Sequence, residues 1–131
     1  MKHIFTTLCF ALCCHNVQAQ DVPGNHVDMT TTILDFLSRT ELCLNSCTDA
    51  ASTHAAIPQL LQLKQECDKL VEAQKALPEP TVQDYMAVQT HMDAFNTIWK
   101  AIRNHIARLQ QEKLLTQEII QILHIAPEEA Q

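Results

Sequence analysis

Residues 85–109 read YMAVQTHMDAFNTIWKAIRNHIARL, and this stretch decides the fold. Its apolar side chains recur at alternating steps of three and four residues, which places them along one side of an α-helix. They are Tyr85, Val88, Met92, Phe95, Trp99, Ile102, Ile106 and Leu109. This seam, widened on one side by Ile98, continues for more than three heptads and is typical of helices that pack as in a coiled coil. The pattern predicts one helix from about residue 82 to residue 112.

The rest of the chain favours helices and lacks the residues that favour turns. Gly24 is the one glycine in 131 residues, whereas Ala, Leu, Gln, Glu and Lys are frequent and lose little entropy in a helix. A body of about 100 residues without glycine does not readily form hairpins, bulges or tight turns. We therefore expect an all-α protein, a small antiparallel helical bundle of three long helices plus a short C-terminal helix.

Capping residues predict where the first two helices begin. Residues 20–27 contain a Pro-Gly pair and are predicted to form a flexible lead-in. The first helix is expected to begin within Asp28 to Thr31, where several cap candidates lie together. Ser52 is the predicted N-cap of the second helix, with Asp49 just upstream, where the helix dipole favours a carboxylate. Pro58 follows about six residues later and is expected either to bend this helix or to delay its regular start.

The later boundaries also carry capping signals. Thr81 with Asp84 resembles a capping box at the start of the third helix. Thr116 is a candidate cap for the short fourth helix, and the pattern leaves open whether that helix is separate from the third. The predicted bundle domain covers residues 28–125, followed by a frayed tail at 126–131.

The N-terminus resembles a secretory signal peptide rather than part of the fold. Residues 1–19 begin with a positive end, continue as an apolar run over 4–14 and finish in Val-Gln-Ala. This order predicts cleavage between Ala19 and Gln20. The apolar run is too short to span a bilayer, which takes about 20 residues. We expect the mature chain to be periplasmic or secreted.

A lipoprotein signal is the alternative for this segment, because Cys13 and Cys14 follow the apolar run. The residue before each cysteine is Leu12 or Cys13, rather than the small residue that such signals place there. The simple secretory signal is therefore the favoured interpretation.

The charge of the mature chain limits its partners. Removal of the predicted signal takes away Lys2 and no acidic residue, which leaves 8 basic and 15 acidic residues and a formal charge of −7. An acidic body offers no counterion release to nucleic acid and no basic face to anionic lipid. We expect a protein partner or self-association, and no nucleic acid, membrane span or small-molecule ligand.

Three cysteines follow the predicted signal, namely Cys43, Cys47 and Cys67, and an odd count excludes a complete set of disulfides. Cys43 and Cys47 lie one turn apart on the same helix, where their side chains run parallel. A hairpin turn near residue 51 places Cys67 opposite Asp35, about 12 Å along the helix from Cys43. A disulfide allows at most about 7 Å between Cα atoms, so we expect all three thiols to pack in the core.

A metal site is the alternative use of these thiols. Cys43 and Cys47 face the same side of their helix, and together with His54 and a nearby methionine they are the candidate ligands of a periplasmic metal-handling protein. His91 and His105 lie about 21 Å apart along one helix and cannot share an ion. The favoured interpretation has no metal site and no cofactor.

Catalytic patterns are also weak. Asp49, Ser52 and His54 offer an acid, a nucleophile and a base, yet they fall within six residues at one helix start. A triad needs oriented hydrogen bonds and an oxyanion hole, which such a short segment cannot assemble. We predict no catalytic residue and no enzymatic activity.

Residues 44–77 resemble a group of uncharacterised small exported bacterial helical proteins that share an Asp-x-x-Ser-Ala helix-turn motif. The matching residues are Leu44, Cys47, Asp49, Ser52, Ala55, Ala56, Pro58, Leu60 or Leu61, Leu63 and Leu70. Cys47 stands where the pattern has Val, and Thr53 replaces Ala. The resemblance implies a small exported helical protein and brings no known activity.

The predicted function is therefore that of a non-enzymatic protein-interaction or structural module. The seam of the third helix decides its oligomeric state: if the first two helices cover the seam, the protein is monomeric, and if the seam stays open, self-association buries it.

Overall fold

The computed structural model describes residues 24–124, which form five helices and no strand. The predicted all-α class is confirmed for this range. The helices are α1 (His26–Asn45), α2 (Ala50–Lys75), α3 (Val82–Gln89), α4 (Met92–Gln111) and α5 (Gln117–Leu123). The predicted signal at 1–19, the first half of the lead-in (20–23) and the predicted tail at 126–131 lie outside the described residues. Over residues 24–124, no helix has the length and apolar content needed to cross a membrane.

α1 is the central helix, since it contacts α2, α3 and α4, while α5 packs on α2. Contacts at both ends of the hairpin show that α1 and α2 are antiparallel. At the turn, the Cys43 Sγ atom lies 4.0 Å from the Ala56 carbonyl oxygen. At the other end, His26 Nε2 donates to the Pro78 carbonyl oxygen over 2.6 Å.

α4 runs parallel to α1. His105 Nε2 lies 3.1 Å from the Glu41 carboxylate, and Arg108 Nη2 donates to the Leu44 carbonyl oxygen over 3.1 Å. Both pairs are separated by the same 64 residues, which is the signature of two helices in parallel register. The chain thus forms a small up-down-up bundle.

The core is supplied by four of the five helices. Its largest fully buried apolar side chains are Phe36, Leu37, Leu44, Leu60, Ile102, Leu109, Ile119 and Leu123. They come from α1, α2, α4 and α5, and burial of such side chains is the main favourable term in folding. α3 contributes no buried residue.

The third helix is not continuous, so the prediction of one helix from 82 to 112 is wrong. The helix is interrupted by a turn at Thr90 and His91. The Thr90 hydroxyl donates to the Ala87 carbonyl oxygen over 2.7 Å, and the His91 amide donates to the Val88 carbonyl oxygen over 2.9 Å. These short-range bonds compete with the α-helical ladder and tighten the backbone into a turn.

The break divides the predicted seam. In α4 it persists, because Phe95, Ile102 and Leu109 are buried at steps of seven residues. In α3 the seam is not fully buried, because Tyr85 is 63% exposed and Val88 is half-buried. The N-terminal end of the seam therefore faces solvent instead of the core.

The starts of the first two helices differ from prediction. α1 begins at His26, two residues early, because the Asn25 side chain accepts from the Asp28 amide over 2.8 Å. The N-cap of α2 is Asp49 rather than Ser52. The Asp49 carboxylate accepts from the Ser52 amide over 2.8 Å, and the Ser52 hydroxyl accepts from the Asp49 amide over 3.0 Å. The two residues form a capping box with their predicted roles exchanged, since the upstream carboxylate also gains from the helix dipole.

The other capping predictions are confirmed. The Asp84 amide donates to the Thr81 hydroxyl over 3.1 Å, and the Thr81 amide donates to the Asp84 carboxylate over 2.8 Å. The Thr116 hydroxyl accepts from the Ile119 amide over 3.2 Å at the start of α5. Pro58 lies inside α2 and does not delay its start.

α4 and α5 are separate helices, because the chain adopts a left-handed conformation at Lys113, with φ of 59°. The Leu114 amide donates to the Leu109 carbonyl oxygen over 2.7 Å, and the Lys113 amide donates to the Gln110 carbonyl oxygen over 3.1 Å. This is the Schellman pattern that ends many helices, with lysine at the position where glycine is usual.

Replacement of Lys113 by glycine should raise the free energy of unfolding by roughly 0.5–1 kcal/mol. A left-handed conformation costs a residue with a β-carbon about 1–2 kcal/mol, and the added freedom of glycine in the unfolded chain offsets part of that gain. Urea unfolding measures the change as a higher midpoint at an unchanged slope. Lys100→Gly, on the exposed side of α4, is the control and should lose about 1 kcal/mol. A loss of stability in Lys113→Gly would contradict the assigned backbone.

Candidate functional site

α3 exposes large apolar side chains on one of its sides. Val82, Tyr85 and Met86 follow the spacing i, i+3, i+4 and are 75%, 63% and 67% exposed. Within residues 24–124, six large hydrophobic side chains are exposed, and three of them lie on this eight-residue helix. We call these three residues the α3 apolar face.

Contacts with α1 hold α3 in place. The bond from His26 to the Pro78 carbonyl oxygen ties the start of α1 to the segment that leads into α3. α3 itself contacts α1, and its Ala87 and Val88 are half-buried. The helix is thus anchored on the bundle through a few small contacts, while its larger apolar residues stay in water.

An open depression of about 490 Å³ follows this side of α3. Its described lining consists of Val82, Tyr85, Met86, Gln89 and Thr90. The described lining has mostly apolar surface with the neutral polar side chains of Gln89 and Thr90, and it includes no charged residue. Its chemistry suits contact with another apolar surface.

The segment of the chain that contains α3 is acidic. Residues 76–99 contain Glu79, Asp84 and Asp93 and no Lys or Arg. The Asp84 carboxylate accepts hydrogen bonds from Thr81, and the bond from the Thr81 backbone amide has the largest effect. These bonds hold the pKa of Asp84 below its usual range, so this carboxylate is charged at neutral pH. Asp84 itself is half-buried and lies close enough to His26 of α1 for that side chain to lower its pKa further, so it belongs to the side of α3 that meets the bundle.

The structure does not bring the predicted metal ligands together. Cys43 and Cys47 are buried, His54 is exposed, and among residues 24–124 no group of three or more His, Cys, Asp or Glu is placed to hold a metal ion. Burial, with a smaller contribution from Cys47, raises the pKa of the Cys43 thiol to about 12. Burial also raises the pKa of Cys47. A metal needs the thiolate, which this environment disfavours.

The three residues considered for catalysis do not form one site. Asp49 and Ser52 bond to each other as the cap of α2, and these bonds lower the pKa of Asp49. His54 lines a smaller cavity of about 240 Å³ between the start of α2 and the connection from α4 to α5. Lys113 and Glu118 are the charged residues in that lining. Neither Asp49 nor Ser52 contributes to the lining of this cavity, so the cavity does not bring His54 together with those two residues.

One further carboxyl group is perturbed. Burial raises the pKa of Glu66, on α2, to about 7, although the nearby Lys69 charge opposes the shift. Glu66 is half-buried and lines neither of the two cavities described above. We assign it no chemical role.

Sequence reasoning missed the α3 apolar face because it placed Tyr85 in the packed seam. A signal was present, since Val82 and Met86 lie off the seam and give residues 82–89 apolar side chains on two sides. The resemblance of residues 44–77 to exported bacterial proteins stays a prediction. Comparisons with protein-family models, curated proteins and solved structures found no match.

Proposed function

We propose that this chain is an exported, non-enzymatic helical-bundle protein that binds another protein through the α3 apolar face. The observation that carries the proposal is the exposure of Val82, Tyr85 and Met86 on a helix with no buried residue. Scattered exposed hydrophobic residues are normal on protein surfaces, but a cluster on one side of a helix is typical of an interaction site.

The residue types support an interface. Tyrosine and methionine are enriched in the buried centres of protein–protein contacts, because the aromatic ring offers a large area and the thioether adapts its shape. Covering these side chains would remove apolar area from water at about 25 cal/mol per Å². The bundle beneath them provides a folded base that orients α3 before a partner arrives.

Export is part of the same proposal and rests on residues 1–19 and on the resemblance of residues 44–77. Burial of Cys43, Cys47 and Cys67 shields their thiols from solvent and is compatible with an oxidising compartment. Mass spectrometry of the exported protein should give a mature chain that begins at Gln20. A full-length chain would contradict the proposed cleavage.

Site-specific photo-crosslinking tests the interaction. A benzoylphenylalanine placed at Tyr85 in the exported protein should give a discrete adduct under light, because the face is covered by its partner. The same group at Gln62, which is exposed on α2, is the matched control and should give none.

The adduct should also depend on the apolar face. In Val82→Ser/Met86→Ser, the Tyr85 adduct should weaken strongly while stability stays within about 0.5 kcal/mol, since both side chains are already exposed. Equal adducts at positions 85 and 62, or no adduct at either, would contradict the proposal.

A further inference from the structure

We propose that the cavity between the start of α2 and the connection from α4 to α5 binds a small zwitterion with an aliphatic chain, such as a free α-amino acid. This inference does not involve the α3 apolar face and goes beyond the proposed function. It differs from the sequence-based expectation of no small-molecule ligand, and it rests on the side chains that line the cavity.

Charged side chains of both signs line this cavity without neutralising each other. Lys113 and Glu118 belong to the lining, and His54 adds a ring nitrogen that can form a hydrogen bond. Within residues 24–124, none of these three side chains forms an ion pair or a hydrogen bond with another residue. The Lys113 ammonium group can therefore bind a carboxylate, and the Glu118 carboxylate can bind an ammonium group. A ligand that carries both groups would satisfy both side chains.

The rest of the lining favours an aliphatic chain on the ligand. Ile57 is 8% exposed and Leu114 is half-buried, and both line the cavity. The two threonines of the lining bond within the chain: the Thr53 hydroxyl donates to a carbonyl oxygen at the cap of α2, and the Thr116 hydroxyl accepts from an amide of α5. Small-molecule sites combine apolar surface with a few polar groups that fix the orientation of the ligand.

The volume of the cavity limits the size of the ligand. It measures about 240 Å³, which is below the range of roughly 300–1,000 Å³ found for sites that bind drug-sized molecules. A single amino acid is smaller than such molecules and brings a carboxylate, an ammonium group and a side chain together. The cavity therefore suits an amino acid better than a longer peptide or a nucleotide.

The backbone at Lys113 gives an independent reason to assign this side chain a role. Its φ of 59° lies in the left-handed region, which disfavours residues with a β-carbon and where glycine is usual at a helix end. Residues held in such conformations cluster at binding sites, where the side chain is needed despite a loss of stability. A free lysine side chain at the mouth of a cavity fits that pattern.

Titration of the ¹⁵N-labelled protein with L-leucine tests the inference by NMR. Amide signals at the cavity, such as those of His54 and Leu114, should shift saturably with a Kd of about 1 mM or below. 4-Methylpentanoate lacks the ammonium group of leucine, 3-methylbutylamine lacks the carboxylate, and glycine lacks the aliphatic chain. Each of the three should bind at least about tenfold more weakly than leucine.

Matched variants separate binding from folding. Lys113→Gly should weaken leucine binding at least about tenfold although its urea midpoint rises, so the loss cannot be attributed to unfolding. Lys113→Arg keeps the charge and should bind leucine within about threefold of the original protein. Glu118→Gln should weaken binding at least about fivefold. Lys100→Gln and Glu79→Gln, at exposed sites elsewhere, are the charge-matched controls and should change binding less than about twofold.

Absence of saturable shifts at about 20 mM leucine would overturn the inference. Equal binding of 4-methylpentanoate would show that the site takes a simple anion, and equal binding of 3-methylbutylamine would show a simple cation site, so either result overturns the zwitterion. Unchanged binding in Lys113→Gly would also overturn it. Val82→Ser/Met86→Ser changes the opposite end of the bundle and should leave leucine binding unchanged, so this test and the crosslinking test at Tyr85 can fail separately.

Discussion

In the folded protein, Cys43, Cys47 and Cys67 should react with an alkylating reagent at least about a thousand times more slowly than in the unfolded chain. Their side chains are 2%, 0% and 0% exposed. The thiolate is the reactive form, and burial raises the pKa of Cys43 to about 12 and raises that of Cys47. Reaction therefore waits for opening of the fold, and the unfolded fraction of a stable protein is about 10⁻³ to 10⁻⁶.

Mass spectrometry after timed iodoacetamide treatment measures this protection. Of these three positions, we expect none to be labelled in the native protein and all three to be labelled in concentrated urea. Asn104→Cys adds a thiol on the exposed side of α4 and should be labelled rapidly in the native state, as a control for reagent activity. Native labelling of any of the three cysteines at the rate of position 104 would contradict their burial.

Arg108→Met should lower the free energy of unfolding by about 2–3 kcal/mol. Arg108 Nη1 donates to the Cys47 carbonyl oxygen over 2.9 Å, and Nη2 donates to the Leu44 carbonyl oxygen over 3.1 Å. A hydrogen bond from a charged group contributes about 1.5–3 kcal/mol, and the guanidinium also complements the negative end of the α1 dipole. The Arg108 side chain is 30% exposed, so water can hydrogen-bond to the two carbonyl groups when the guanidinium is removed. The expected loss of stability is therefore smaller than the sum of two fully buried charged hydrogen bonds.

Urea unfolding of matched variants isolates this effect. Arg103→Met removes the same charge from an exposed site on the same helix and should change stability by less than about 0.5 kcal/mol. Arg108→Lys should restore only part of the loss, because one ammonium group cannot reproduce the forked geometry of the guanidinium. Equal losses in Arg108→Met and Arg103→Met would show that the two carbonyl contacts contribute nothing.

The sequence predicted the parts of the candidate region that depend on near neighbours. The box of Thr81 with Asp84 sets the start of α3, and both bonds join residues three positions apart. The sequence did not predict which side of α3 meets the bundle. That outcome depends on contacts such as the one from His26 to Pro78, which are 52 residues apart.

Taken alone, the sequence determined the helical class, the capping sites of α3 and α5, the apolar stripes that supply the core and the packing of three thiols within it. These features follow from backbone propensity, from side chains that bond within four residues and from the periodic burial of apolar surface. Tertiary structure decided the rest. The seven-residue spacing of apolar side chains continues unchanged across Thr90 and His91, so the sequence gives no sign of the interruption. Packing against α1 decides that the apolar residues of α4 are buried while Tyr85 of α3 is exposed to solvent. The α3 apolar face is exposed because α3 lies at the edge of the bundle and contacts it on one side only. The apolar side chains on its other side therefore have no neighbouring helix within residues 24–124 to cover them.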